Sequence, residues 1–342
     1  MATINQIRGM LLEEVLLHLL RSSGYRTIEN VNNDPTLVDG SAGIKVKGRG
    51  CDHQIDAIAD FIVHQPFSNP QRLLVEAKCY ATGRSVGIQI ARNALGVLID
   101  VSEYWIPGEN ELPARKRYHY QYALFSATPY SKEAEKYAFA HDIYLIPLAN
   151  SAFMRPIIDS ITNISASDFN SVLDNRIPVE MKPLRVIVRN RLKQQAINNL
   201  NFQENYPNFS EKLNHLFQAS FRLNYALIAV LGGGFPVFLV PNEGVVIDSL
   251  SSPVSVRIFW DSSLWYLKES RSGRRIFSFD LPPGLFDLYE KGGKLSPTQA
   301  LNLKEQAMSH FRSVWVQEGR IKIISFQLDR NWLEDVREHL ST

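Results

Sequence analysis

Two short stretches decide the fold: "CDHQIDAIADF", residues 51–61, and "LLVEAKCYATG", residues 73–83. Each contains a run of apolar residues typical of a buried β-strand. Within or beside these runs stand Asp56, Glu76 and Lys78. Burying an unpaired charge destabilises a protein by several kcal/mol. The three residues therefore require either one another or a metal ion as partners.

The spacing of these residues predicts that they meet at one place. Alternation along a strand puts Glu76 and Lys78 on one face, with Ala77 facing the other way. A short connection favours neighbouring strands, which brings Asp56 beside Glu76. The two carboxylates and the main-chain carbonyl of Ala77 then form an all-oxygen site suited to Mg²⁺ or Mn²⁺. Such an ion activates water and neutralises charge on a phosphate under attack.

The composition of the whole chain is that of an ordinary globular protein. Its 342 residues allow two domains, and 45% of them are hydrophobic. The formal net charge of +2 gives no global signal for nucleic acid, although it says little about a local groove. The two cysteines suit a reducing compartment. Glutamates interrupt the first apolar stretch, so we expect no secretory signal, no membrane contact and a cytoplasmic location.

Along residues 1–150 the periodicities predict a helix, three strands, a helix, a strand, a helix and a strand. The clearest of these are an amphipathic helix at 10–24, strands at 55–63 and 72–80, and a helix at 86–105. This order predicts an α/β/α sandwich over a mixed central sheet.

Residues 151–342 are predicted to form a separate α+β, β-rich domain that begins with a linker or helical portion at 151–208. This portion contains the basic run "KPLRVIVRNRLKQQ". The run is compatible with tracking a phosphate backbone and equally with the solvated face of one strand or helix. Both interpretations stay open at this point.

The order of Asp and Glu-x-Lys on adjacent strands resembles the PD-(D/E)xK nuclease superfamily and, within it, the Mrr-like restriction endonuclease domain. The resemblance covers roughly residues 8–150. It is carried by four further stretches: "LLEEVLLHLLRSSGYRT", "GRGCDHQID", "VGIQIARNALGVLID" and "ALFSATPYSKEAEKYAFAHDIYLIPL". It implies a restriction-endonuclease-like fold for this part of the chain.

The chain departs from the family pattern just before the aspartate. The family often has two glycines and a small residue there, whereas this chain has His53 and Gln54. Asp52 and Asp60 are therefore alternatives to Asp56, which we prefer because it opens the strand after the glycine turn. His53 is interpreted as a turn residue or a phosphate contact rather than a general base. Cys51 and Cys79 are interpreted as packing residues, because no histidine–cysteine spacing indicates zinc.

The resemblance implies a set of site residues with distinct roles. Asp56, Glu76 and the Ala77 carbonyl would bind Mg²⁺, for which Mn²⁺ would substitute. Lys78 would position the attacking water or a phosphate oxygen. Gln89 would orient the site, and Glu13 would assist the metal through water. For Glu13 and Gln89, an ordinary exposed helix position is the alternative.

The expected function is that of a metal-dependent endodeoxyribonuclease in restriction or anti-phage defence. It would cut double-stranded DNA to leave a 5′-phosphate, and cutting two strands favours a homodimer. Residues 151–342 would serve target specificity or the docking of a partner protein. The alternatives are a structure-selective repair or junction nuclease, and a nuclease-fold subunit that needs, or is a scaffold for, a partner. A structural salt bridge in an unrelated α/β protein is the simplest alternative for the charged residues.

Overall fold

The protein is described by a computed structural model. The described residues are 1–40, 43–64, 66–80, 85–106, 113–194, 204–221, 223–232, 234–261, 264–282, 285, 295–317 and 319–341. They pack into two compact units. The first consists of Met1–Arg21 and Tyr25–Asn224, and the second of Ser22–Gly24 and Tyr225–Thr342. The predicted organisation as a mixed α/β protein in two parts is confirmed.

The first unit contains both helices and strands. Its helices are α1 (Ile4–Ser22), α2 (Ile88–Ser102), α3 (Lys132–Ala140), α4 (Arg155–Thr162), α5 (Met181–Leu192) and α6 (Pro207–Phe221). Its strands are β1 (Tyr25–Thr27), β2 (Leu37–Gly40), β3 (Gly43–Lys47), β4 (Asp52–Gln54), β5 (Ala57–Phe61), β6 (Gln71–Lys78), β7 (His119–Ser126) and β8 (Ile143–Pro147).

The main sheet of the first unit is mixed, as the sequence predicts. Its strand order is β1-β5-β6-β7-β8. The pairs β1–β5 and β5–β6 are antiparallel, whereas β6–β7 and β7–β8 are parallel. A separate antiparallel sheet has the order β2-β3-β4. The strand that carries Glu76 and Lys78 is therefore central, with β5 on one side and β7 on the other.

Both faces of the main sheet are covered. On one face, Leu74 and Tyr122 belong to a core cluster that includes residues of α2 and α3. On the opposite face, Ala59 and Val75 are also buried. Burial on both faces explains why β6 reads as a continuous apolar run rather than as an alternating one.

Helix α1 is buried far more completely than the amphipathic pattern predicts. Even Glu14 is fully buried, with 0% of the residue exposed. Arg189 of α5 accounts for this, since its guanidinium bonds both Glu14 oxygens at 2.9 and 2.8 Å. A buried charge of this kind persists only when it is paired and hydrogen-bonded.

Residues 151–224 belong to the first unit, whereas the sequence places them with the second. The basic run of this portion forms α5. Its Arg185 and Arg189 form ion pairs with glutamates of α1. These two cations of the run therefore contact carboxylates of the same unit. Helix α6 packs on α4 and α5. The division consequently lies after Asn224; residues 195–203 of the predicted linker portion lie outside the described residues.

The second unit is a closed barrel flanked by helices. Its elements are β9 (Leu227–Leu231), β10 (Phe235–Pro241), β11 (Val254–Asp261), β12 (Leu264–Glu269), β13 (Arg275–Phe279), α7 (Pro297–Ala307), β14 (His310–Gln317), β15 (Arg320–Leu328) and α8 (Arg330–Ser341). The strands close in the order β10-β13-β12-β11-β15-β14-β9. Its core is rich in buried aromatic rings, among them Trp265, Phe277 and Phe326. The predicted β-rich character is confirmed; closure into a barrel was not predicted.

No helix among the described ranges is long and apolar enough to cross a membrane.

A buried arginine anchors the end of β6 that lies away from Glu76. Arg72 is 0% exposed. Its guanidinium donates to Asp60 Oδ1 at 2.7 Å, to Thr36 Oγ1 at 2.7 Å and to Asp34 Oδ2 at 2.8 Å. It also lies over the ring of Tyr118, 3.6 Å from its centre. Asp60 is thus committed to a structural network at the far end of β5 from Asp56.

Candidate functional site

Asp56 lies immediately before β5, where the pairing with β6 leads toward Glu76. The register joins Ala57 to Val75, so one further step along each strand sets Asp56 opposite Glu76. The Asp56 Oδ2 atom accepts a hydrogen bond of 2.8 Å from the Ala77 N–H. The carboxylate is therefore fixed against the backbone of β6.

Glu76 and Lys78 lie together at the end of β6. The Lys78 ammonium forms an ion pair with Glu76, and the Tyr122 hydroxyl of β7 donates to Glu76 Oε2 at 2.9 Å. The side chains of Lys78 and Glu76 are 24% and 22% exposed. The pair is thus held by its neighbours and still reachable from solvent.

The charges of Asp56, Glu76 and Lys78 act on one another. Burial is the largest influence on the pKa of Asp56 and raises it, and the charge of Glu76 adds to this effect. The Ala77 N–H and Lys78 lower this pKa without cancelling the rise. Burial lowers the pKa of Lys78, but the hydrogen bond and charge of Glu76 and the charge of Asp56 outweigh burial, so this pKa is raised. Lys78 therefore remains an ammonium at neutral pH.

Glu13 of α1 extends the acidic cluster. Burial raises the pKa of Glu13 to about 7, Arg185 opposes this rise, and the charge of Asp56 adds to it. The Arg185 guanidinium of α5 bonds Glu13 Oε2 at 2.6 Å and also lowers the pKa of Asp56 by its charge. The structure thus gathers Glu13 and Arg185 around the same site as Asp56.

The backbone of Ala77 is directed toward Asp56. The Lys78 carbonyl accepts from the Ala127 N–H just beyond β7, so the backbone groups of Lys78 face the β7 side. Successive residues of a strand direct their backbone groups to opposite neighbours. The carbonyl of Ala77, like its N–H, is therefore turned to the side of Asp56.

Gln89 is oriented differently from the other predicted site residues. It is exposed near the start of α2, and its amide nitrogen donates to Asn93 Oδ1 at 3.0 Å, one turn further along. Its side chain is thereby directed along the helix surface.

Sequence reasoning missed several residues around the site. Arg185 is far from Glu13 in the chain, and no local pattern links them. Tyr122 was detectable only as part of a buried strand. A third omission is a cluster of Cys51, His53 and Asp100, whose ligand atoms lie within 4.8 Å of one another. The interpretation of Cys51 as a packing residue was wrong, because Cys51 is exposed; Asp100 lies 47 positions from His53, so the sequence does not show that the three residues meet.

Comparisons with known proteins add little to this description. The chain matches no family model and no curated protein. The chain aligns with a solved structure described as a protein of unknown function, AF1548, at 17% sequence identity and a TM-score of 0.35. That similarity covers 63% of this chain and 97% of the other.

Proposed function

We propose that this chain is a metal-dependent endodeoxyribonuclease that hydrolyses phosphodiester bonds of double-stranded DNA. The observation that carries the proposal is the hydrogen bond of the Ala77 N–H to Asp56. It fixes a second carboxylate beside the Glu76–Lys78 pair. Glu76 already balances the charge of Lys78. The additional carboxylate instead suits a divalent cation.

The proposal includes a restriction-endonuclease-like α/β/α sandwich of the PD-(D/E)xK superfamily for the first unit. Its support is the order of elements around β6. Asp56 precedes β5, the Glu76-x-Lys78 sequence ends β6, and these two strands are antiparallel neighbours in a mixed sheet. This is the arrangement that the sequence resemblance requires.

The donor set fits a hard cation. Asp56, Glu76 and the Ala77 carbonyl offer oxygen atoms, and Glu13 would add a contact through water; Mg²⁺ and Mn²⁺ both accept such a set. When bound, the ion would supply positive charge against the phosphate and increase the acidity of water.

The remaining chemistry is assigned to Lys78. Its ammonium, held by Glu76, is a compact donor that would orient the attacking water or a non-bridging phosphate oxygen. Its raised pKa keeps it protonated, so it serves as a hydrogen-bond donor and not as a base. Tyr122 fixes Glu76 from the side of β7 and acts as a positioning residue.

Biological setting and partners are part of the same proposal. Restriction or anti-phage defence follows from the sequence resemblance, and a homodimer would place two sites on two strands. Helix α5 lies within residues 151–224, and its arginines pair with glutamates of α1 beside the site. We therefore assign the specificity or partner-docking role to residues 225–342 alone.

Incubation of the purified chain with supercoiled plasmid tests the function. We expect nicked and linear DNA with Mg²⁺ or Mn²⁺ and no cleavage with excess EDTA. The reason is that the carboxylates are themselves negative and can neutralise phosphate charge only through a bound cation. Methylated and unmethylated plasmids, single strands and four-way junctions are compared in parallel.

Each substrate separates one alternative. Cutting confined to junctions would replace the restriction role with a repair role. Absence of cleavage on every substrate with either metal would contradict an autonomous nuclease and favour a subunit that needs a partner.

The Gln89→Ala variant tests the predicted role of that glutamine. The amide of Gln89 bonds to Asn93, so we expect cleavage within about threefold of the original rate, less than 1 kcal/mol of activation free energy. Initial rates on plasmid provide the measurement. A fall of about 100-fold or more would show that the side chain turns toward the substrate.

A further inference from the structure

A second group of metal-ligating side chains lies outside the carboxylate–lysine site. The Cys51 Sγ atom is 3.7 Å from His53 Nε2, and His53 Nε2 is 2.7 Å from Asp100 Oδ2. All three ligand atoms lie within 4.8 Å of one another. A thiol, an imidazole and a carboxylate thus converge from β4, the turn before it and α2.

The Asp100 carboxylate is fixed from behind by backbone groups. It accepts hydrogen bonds from the N–H groups of Gly50 at 2.8 Å and Cys51 at 3.3 Å. The turn approaches so closely that a Cβ atom added to Gly48 would lie 2.0 Å from Asp100 Oδ2. Support of a ligating carboxylate by such hydrogen bonds is a regular feature of metal sites.

The arrangement does not suit a cysteine nucleophile. In a Cys–His–Asp triad the two ring nitrogens have separate partners, one for the thiol and one for the acid. Here the Cys51 thiol and the Asp100 carboxylate both approach the same nitrogen, Nε2 of His53. A bound cation requires several ligand atoms around a single point, and this arrangement provides them.

We propose that Cys51, His53 and Asp100 bind a zinc ion whose fourth position is open to water. Tetrahedral zinc with ordinary bond lengths separates sulfur from nitrogen by about 3.6 Å and nitrogen from oxygen by about 3.4 Å. The thiol–imidazole distance of 3.7 Å already matches. The imidazole and the carboxylate, now hydrogen-bonded at 2.7 Å, would separate by about 0.7 Å as the ion replaces the proton between them.

The ligand types distinguish this ion from the one proposed at Asp56 and Glu76. Thiolate and imidazole favour zinc and other borderline metals, whereas carboxylate and carbonyl oxygens favour magnesium. The zinc would join the turn before β4 to the end of α2. Zinc binding at Cys51, His53 and Asp100 does not depend on catalysis at Asp56 and Glu76, so the zinc proposal and the nuclease proposal can be tested independently.

Cobalt substitution tests the site through its thiolate. Metal-free full-length protein is titrated with Co²⁺, and we expect one equivalent to produce a thiolate-to-cobalt charge-transfer band with visible tetrahedral bands; zinc should then displace the cobalt. The Cys51→Ser and His53→Gln variants should lose the band and bind at least about 100-fold more weakly, because even supporting residues contribute 10–100-fold. His53→Gln places an amide near the position of His53 Nε2, the atom that bonds to Asp100, which limits structural damage.

Cys79 provides the matched control, since it is the only other cysteine of the chain. Cys79→Ser should keep the band, and so should Asp56→Asn, which alters the nuclease site alone. Zinc should also protect Cys51, an exposed thiol, from alkylation measured by mass spectrometry. A wild-type protein without the charge-transfer band, or an equal band in folded Cys51→Ser, would overturn the proposal.

Discussion

The Asp56→Asn and Lys78→Ala variants are expected to lose about 10²–10³-fold or more of the Mg²⁺-dependent cleavage rate, the loss typical of a preorganised electrostatic group. Asparagine has the shape of aspartate and still offers an oxygen to the Ala77 N–H, but it lacks the charge that binds a divalent cation. Lys78→Ala removes the donor proposed to face the nucleophile. The measurement is initial plasmid cleavage with saturating Mg²⁺.

Asp52→Asn is the matched control for this experiment. Asp52 lies in β4, four residues before Asp56, and is exposed. Its replacement should leave cleavage unchanged if the sequence-based preference for Asp56 is correct. Undiminished cutting by an Asp56→Asn/Lys78→Ala double variant would remove the assignment of the site.

The stability of the Asp56→Asn variant distinguishes a catalytic role of Asp56 from a role in a structural salt bridge. The pKa of Asp56 is raised, chiefly by burial, so its ionised form is disfavoured in the folded protein. A raised carboxyl pKa gives stability that is present at low pH and lost as pH rises through the folded value. At neutral pH, Asp56→Asn should therefore maintain or raise the melting temperature while abolishing cleavage. A structural salt bridge would give the opposite change in stability.

The central part of the fold and site was predictable because it depends on local pattern. Alternation along β6 reports which face Glu76 and Lys78 occupy, and the short link to β5 makes the two strands neighbours. The N-cap of α3 is equally local, because the Ser131 side chain accepts the N–H of Ala134, three residues further on. These signals need no knowledge of distant residues.

The rest depends on contacts between residues far apart in the chain. Arg185 reaches Glu13 across 172 positions, and His53 reaches Asp100 across 47. A basic run has the same composition whether it faces phosphate or buried glutamates, so only packing decides between them. Barrel closure is equally non-local, because it requires β11 to pair in parallel with the distant β15.

Arg72→Met is expected to lower the free energy of unfolding of the first unit by about 3–5 kcal/mol, the range for breaking a buried ion pair. Arg72 is 0% exposed and Asp60 is 5% exposed, so the variant leaves a buried carboxylate without its main partner. Asp34 would also lose a partner: hydrogen bonds from Thr36 and Arg72, opposing burial, hold its pKa at about 2.

Arg26→Met is the matched control, because Arg26 contacts the same carboxylate from the surface. Its Nη2 atom lies 3.5 Å from Asp60 Oδ2, but its side chain is 73% exposed. An exposed pair of this kind contributes about 0–1 kcal/mol, so this variant should unfold almost as the original protein does. Both variants remove an arginine from Asp60, so the contrast compares a buried hydrogen-bonded network with a single exposed pair.

Hydrogen exchange of peptides covering β5 and β6 is the appropriate measurement, because a chain of two units need not unfold in one step. Arg72→Met should accelerate exchange throughout these strands, and Arg26→Met should not. Asp60→Asn combined with Arg72→Met should recover part of the loss, because the orphaned charge, and not the missing contact, is the larger penalty. Equal protection in the two single variants would show that the Arg72 network contributes no more than a surface pair.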